Sequence, residues 1–308
     1  MLLRFAKRAW PWLLGVAIVI AIVTRVPLDA FGAAIHEGPH LRLAAVDFGV
    51  IVVILVTDTI ATWLALRVTA VRWTIARTMW VRGATYILSL LNYAVGQGGM
   101  GYYLHRSGVS GLRAAGITLF TMGTTLATLL LLTTAAWAIG GQATSTPTWW
   151  TLVGCCAAFA VYIVVIALRP AVIAHREILA PMFETGIIGH AIAMLGRLPH
   201  VIIIVFGHWL AMLAWGIPVP FSVAATVMPA VVIAGVLPIS PAGLGTIQAA
   251  LVYFFSDYAA GATADDRAAL VLAFSIVHFV YAMLGQLAVG LACLPLARRG
   301  DPKPDAQA

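Results

Sequence analysis

The chain has 308 residues, of which 62% are hydrophobic and only 9% charged, with a mean hydropathy of +1.00. Soluble domains carry about 25% charged residues, so this composition cannot cover a water-facing surface, and it excludes a soluble, disordered, fibrous or nucleic-acid-binding protein. The net charge of +7 then points to an arginine-rich membrane face, and the expected architecture is one all-α, polytopic membrane domain over residues 1–308.

A membrane-crossing helix needs roughly 20 mainly apolar residues. The first candidate, 10–26, follows Arg4, Lys7 and Arg8; no clean small-x-small cleavage site follows it, so it is read as a retained span. Residues 27–43 are interfacial. They include His36-Glu37-Gly38-Pro39-His40, the letter pattern of a zinc protease. That chemistry needs both imidazoles on one helical face, and Gly38-Pro39 opposes a regular helix, so no metal site is expected. The second span, 44–66, carries Asp47 near its outer end, read as reaching water, and Asp58 deeper in, within Thr57-Asp58-Thr59. An intramembrane carboxylate costs about 2.5–3.5 kcal/mol on insertion scales. Asp58 is therefore expected either to couple a cation or proton or to form a structural ion pair with Arg106 or another base.

Residues 83–103 are apolar but contain Asn92 and the run Gly96-Gln97-Gly98-Gly99-Met100-Gly101, which does not suit a straight helix. Spans at 112–139 and 149–168 follow. Residues 169–197, which mix Arg169, His175, Arg176, Glu177, Glu184 and His190 with apolar residues, read as a surface-lying helix or a charged connector. A span at 198–216 leads to a second broken stretch, 221–257, interrupted by Pro238-Ile239-Ser240-Pro241-Ala242-Gly243-Leu244-Gly245. The last span is 268–296. Cys155, Cys156 and Cys293 lie in apolar runs without paired spacing and read as packing residues.

Basic residues orient the chain, because cytoplasmic loops are enriched in them. If 83–103 and 221–257 each dip in and return on the same side, 15 of the 18 basic residues face the cytoplasm, leaving Arg25, Arg42 and Arg267 outside. If 83–103 crosses once, the split becomes 8 against 10. The first arrangement gives six full spans, both termini cytoplasmic, and two broken re-entrant hairpins of opposite sense, an inverted repeat with a polar cavity near the midplane of the cytoplasmic membrane.

Helix N-termini at such breaks favour anions. His105 and Arg106 follow the first glycine run, and Ser240, Thr246 and Gln248 flank the second turn, so a phosphate head group is the expected ligand. Gly96-x-Gly98-x-x-Gly101 also matches a dinucleotide fingerprint, but that motif has meaning only between a strand and a helix; the glycines read as permitting close backbone approach. No nucleophile–base pair has support from spacing, and the scattered histidines (His105, His175, His190, His200, His208, His278) read as interfacial or satisfied by neighbouring helices. No enzyme and no cofactor are expected.

The segment 237–245 with the polar residue at 248 closely resembles the late motif of the lysylphosphatidylglycerol synthase transmembrane (flippase-like) family. Asn92, the glycine run and Leu104-His105-Arg106-Ser107-Gly108-Val109-Ser110 resemble its earlier motif, and the order fits across about residues 10–296. The chain departs from the family's pattern at Val95, at Ile247-Gln248 and at Phe120–Thr124, where the family carries a proline, an Arg-Glu pair and a Glu-Arg pair. The resemblance implies a lipid flippase-like protein moving an anionic or polyprenyl-linked lipid. It implies a substrate site at Asn92, Gly96, Gly98, Gly99, Gly101, Arg106, Ser240, Gly243, Gly245, Thr246 and Gln248, to which the helix-terminus argument adds His105. Two rival readings stand beside it: a scaffold for a separate lipid-synthesis enzyme, and an intramembrane lipid-modifying enzyme.

Overall fold

A computed structural model describes residues 18–21, 23–24, 26–140, 146–236 and 243–299. All regular structure among them is helical. The helices are α1 (Leu28–His36), α2 (His40–Val68), α3 (Ile75–Ser89), α4 (Tyr93–Arg106), α5 (Gly111–Gly140), α6 (Thr146–Leu168), α7 (Ala171–Ala174), α8 (Ala180–Trp215), α9 (Phe221–Val236), α10 (Thr246–Phe255) and α11 (Ala264–Arg298).

Four of them, α2, α5, α8 and α11, are long and apolar enough to cross a membrane. At 1.5 Å per residue, the 29 residues of α2 extend about 43 Å, more than the roughly 30 Å hydrocarbon core. Val52, Val53, Val56 and Ile60 of α2 point outward, a surface suited to lipid. The spans expected at 44–66, 112–139 and 268–296 fall inside α2, α5 and α11, and 149–168 falls inside α6. The span expected at 10–26 lies largely outside the described residues.

The structure corrects three boundaries. The helix expected at 198–216 is much longer: α8 breaks at Gly186 (φ 59°) and then runs unbroken to Gly216 (φ 90°), a left-handed stop that glycine adopts at little cost. His190 and Arg197, assigned to a cytoplasmic connector, therefore lie within a long apolar helix. The first broken stretch is wider than 83–103, consisting of α3 and α4 with a turn at residues 90–92. Its break is not the glycine run, which is helical throughout. Asn92 makes the turn instead: its side chain accepts from the Ala94 N–H at 2.8 Å and caps α4. Third, the 221–257 stretch is α9 and α10; residues 237–242 between them lie outside the described residues.

The glycines serve packing. A Cβ on Gly96 would collide with the Ser89 side chain, and one on Gly99 with Leu88, so these residues let α4 lie close to α3. Gly101 approaches Thr118 of α5.

α2 and α8 form the central pair. Gly207 meets Val50, Gly196 meets Leu64 and Gly189 meets Val68; numbers rise on one helix as they fall on the other, so the two are antiparallel. The α3–α4 hairpin starts from the C-terminal end of α2 and the α9–α10 hairpin from that of α8. The hairpins thus enter the bundle from opposite ends. Their helices have 15, 14, 16 and 10 residues, about 15–24 Å each, too short to cross alone. Packing partnerships also match in pairs: α3 lies on α11 as α9 lies on α5, α4 on α5 as α10 on α11, and α2 on α11 as α8 on α5.

Candidate functional site

The threonines of α5 show how this interior handles most of its polar groups. Thr118, Thr121, Thr124, Thr125 and Thr128 are buried, and each hydroxyl donates to a carbonyl three or four residues earlier, satisfied within its own helix. The charged groups need partners from other helices, and these meet around a cavity of about 300 Å³ between α2, α8, α11 and the tips of both hairpins. Ser89, Leu90 and Tyr93 come from one tip, Gly235 and Ile247 from the other.

Asp58 is the centre of the first cluster, with 1% of its surface exposed. Its Oδ2 accepts from Arg82 Nε at 2.9 Å and Nη2 at 2.6 Å, and from the Tyr86 hydroxyl at 3.3 Å. Its Oδ1 accepts from Arg197 Nη1 at 2.5 Å and from Thr62 at 3.3 Å, with His200 Nε2 at 4.0 Å. Arg82 Nη1 also reaches Gln97 Oε1 at 3.3 Å. One carboxylate thus faces two guanidinium groups, both nearly fully buried, and the cluster carries an excess positive charge. Arg197 Nε is buried with no acceptor. Such buried charges are tolerated only with close pairing, here supplied by α2, α3 and α8 together.

A second cluster lines the same cavity. His278 Nδ1 lies 2.9 Å from Asp47 Oδ1. The His278 ring stacks on Phe274 and sits 5.0 Å from the His208 ring. His208 Nδ1 bonds the Ile204 carbonyl at 2.8 Å, which fixes its proton there and leaves Nε2 as the basic nitrogen. Asp47 is 5% exposed and its Oδ2 is buried without a partner. The reading of Asp47 as a water-reaching residue is thereby corrected.

The structure scatters most of the sequence-derived site. Arg106 ends α4 and is exposed. It lies 13 residues, about 20 Å along the helix axis, from the tip at Tyr93 and does not line the cavity. Asp58 pairs with Arg82 and Arg197, not with Arg106. His105 faces the same exposed end, with Nδ1 at 3.0 Å from the Val109 carbonyl. Asn92 is occupied as a cap. Gly96, Gly99 and Gly101 serve helix contacts; Gly98 faces open space. Their amides belong to a continuous helix and form no open cradle. At the second tip, Gly243 (φ 77°) and Gly245 (φ 86°) turn the chain. Gln248 Oε1 accepts from the Gly245 N–H at 2.6 Å, closing that turn, while its Nε2 is buried without an acceptor. The Thr246 hydroxyl donates to the Gly243 carbonyl at 3.0 Å. Ser240 lies outside the described residues. His40, from the zinc-like letters, bonds Tyr281 and the Ile35 carbonyl and packs on Trp215.

Sequence reading missed Arg82, Arg197, Tyr86, Gln97, His208 and His278 as members of the two clusters. A signal existed for Arg197: it is the one Lys, Arg, Asp or Glu between Gly186 and Gly216, a stretch long enough to cross a bilayer unaided. Asp47 and Asp58 are 11 residues apart, which places both on one face of a 3.6-residue helix.

No family model, curated protein or solved structure matches the chain.

Proposed function

We propose that this protein is a flippase-like lipid transporter of the cytoplasmic membrane, with both termini cytoplasmic, and that it catalyses no covalent chemistry. The observation that carries the reading is the excess positive charge of the Asp58–Arg82–Arg197 cluster, buried beside a cavity between two hairpin tips. An anionic or polyprenyl-linked lipid would place its phosphate against Arg82 and leave its tails in the bilayer. Burial strengthens that attraction.

The architecture supports the same reading. Antiparallel α2 and α8, hairpins from opposite ends, and exchangeable packing partnerships suit an inverted repeat whose broken helices meet at the substrate site. Counting α6 and residues 10–26 beside the four long helices gives the six-span form, with both hairpins re-entrant. Arg67, Arg72, Arg106, Arg113, Arg298 and Arg299 lie at the bundle end formed by the C-termini of α2, α4 and α11 and the N-termini of α3 and α5. That end suits the cytoplasmic side. Rocking of one half against the other about the α2–α8 contact would open the cavity alternately to each leaflet. The motif resemblance at 92–110 and 237–248 points to the same class.

The test is mass spectrometry of the lipids retained by gently purified protein, wild type beside Arg82→Gln. That variant leaves Asp58 paired with Arg197, so the fold is kept. One anionic lipid, scarce in the bulk membrane, should stay with the wild type and be lost from the variant. Bulk lipid in bulk proportions on both would reject the head-group site.

A further inference from the structure

The cavity holds a second polar cluster that the lipid head group does not need. We infer that Asp47, His278 and His208 form a proton-binding site that couples transport of the anionic lipid to proton uptake. The coupling rests on the lipid-transport reading; the proton site itself does not.

Three features point to a proton. Asp47 is buried, lines the cavity, and has one carboxylate oxygen with no partner. His278 bonds the other oxygen through Nδ1 at 2.9 Å, so its Nε2 is free to take a proton and form an imidazolium held by the carboxylate. His208, 5.0 Å away ring to ring, also has Nε2 as its basic nitrogen because Nδ1 is committed to the Ile204 carbonyl. Two imidazoliums at that separation repel, so the pair takes up no more than one proton.

The surrounding charges give that proton a consequence. Around Asp47, α2 itself contributes Asp58, α8 contributes Arg197, His200 and His208, α11 contributes His278, α3 contributes Arg82 and Tyr86, and α4 contributes Tyr93; the lining residues from α9 and α10 are not ionisable. With the histidines neutral, the Asp47 carboxylate offsets the excess positive charge of the Asp58–Arg82–Arg197 cluster, and the sum over these four groups is zero. One added proton makes it positive. Asp47 and Asp58 are about 16 Å apart along α2; at an effective dielectric constant near 20, a unit charge at that distance changes anion affinity about fivefold. Coupling is reciprocal, so a bound anion raises proton affinity by the same factor.

The experiment has two arms. In the first, purified protein in detergent is stepped from pH 8 to pH 6 and proton uptake is read with a soluble pH indicator. The wild type should bind about one proton more than the Asp47→Asn/His278→Gln double variant, with His208→Gln between them; equal uptake by wild type and double variant overturns the site. In the second, vesicles of phosphatidylethanolamine and phosphatidylglycerol carry a fluorescent phosphatidylglycerol whose leaflet is read by chemical quenching. An imposed pH gradient should drive net movement of the label in the wild type. Asp47→Asn should lose the response to the gradient. Movement by the wild type that ignores the pH gradient, or follows a sodium gradient instead, overturns proton coupling and leaves lipid transport standing. No movement by the wild type, with the extra proton still bound, keeps the proton site and overturns its coupling to this lipid.

Discussion

Asp58 and Asp47 lie three turns apart on one face of α2, and the protein surrounds them in opposite ways. Asp58 is saturated, accepting from two arginines, a tyrosine and a threonine on three helices. Asp47 has one histidine and a bare oxygen. A carboxylate held by two permanent cations stays ionised and ties α2, α3 and α8 into one arrangement. A carboxylate held by a titratable ring keeps the freedom to exchange a proton. Burial alone therefore does not set the role of an intramembrane acid; the permanence of its partner's charge does.

The largest effect that would break this comparison is Asp58→Asn. It leaves two buried guanidiniums without their counter-charge and should cost about 3–5 kcal/mol, seen as a large fall in the thermal midpoint of the purified protein. Asp47→Asn keeps an acceptor for His278 and should cost about 1 kcal/mol; equal losses would dissolve the distinction. Next comes the register that lets both clusters form. Gly207→Val pushes against Val50 and should cost about 1–3 kcal/mol through overpacking. The double variant with Val50→Ala should regain most of it, and failure to do so would place the strain elsewhere. Arg82→Met should cost less than Asp58→Asn, since Arg197 still neutralises the carboxylate, yet it should abolish retention of the anionic lipid. Smallest is Arg106→Ala. Exposed and distant from the cavity, it should shift stability by no more than about 0.5 kcal/mol and leave lipid retention unchanged, separating the buried arginines from the surface one.

Particular residues show why the sequence was a partial guide to the site. Gly96–Gly101 read as a break because glycine is poor in helices. Here tight contact with Ser89 and Leu88 offsets that preference, and the break moves four residues back, to Asn92, whose capping side chain can be read locally. Gln248, expected in the substrate site, spends its carbonyl on its own turn. Arg82 and Arg197 count by sequence among the cytoplasmic basic residues; only their packing against Asp58 gives them another role.

By itself, the sequence determined the solvent. Charged residues are too few to cover a water-facing surface, so the chain must be a bundle of apolar helices, and local patterns place α2, α5, α6 and α11 within a few residues, while the first hairpin starts eight residues earlier than expected and α8 far exceeds its expected span. Tertiary structure alone decided the chemistry of the interior. Arg82 and Arg197 lie 24 and 139 residues from Asp58, and His278 lies 231 residues from Asp47. No local pattern encodes pairings at such separations. They arise because α2 and α8 run antiparallel at close approach and bring the hairpin tips and α11 around one cavity.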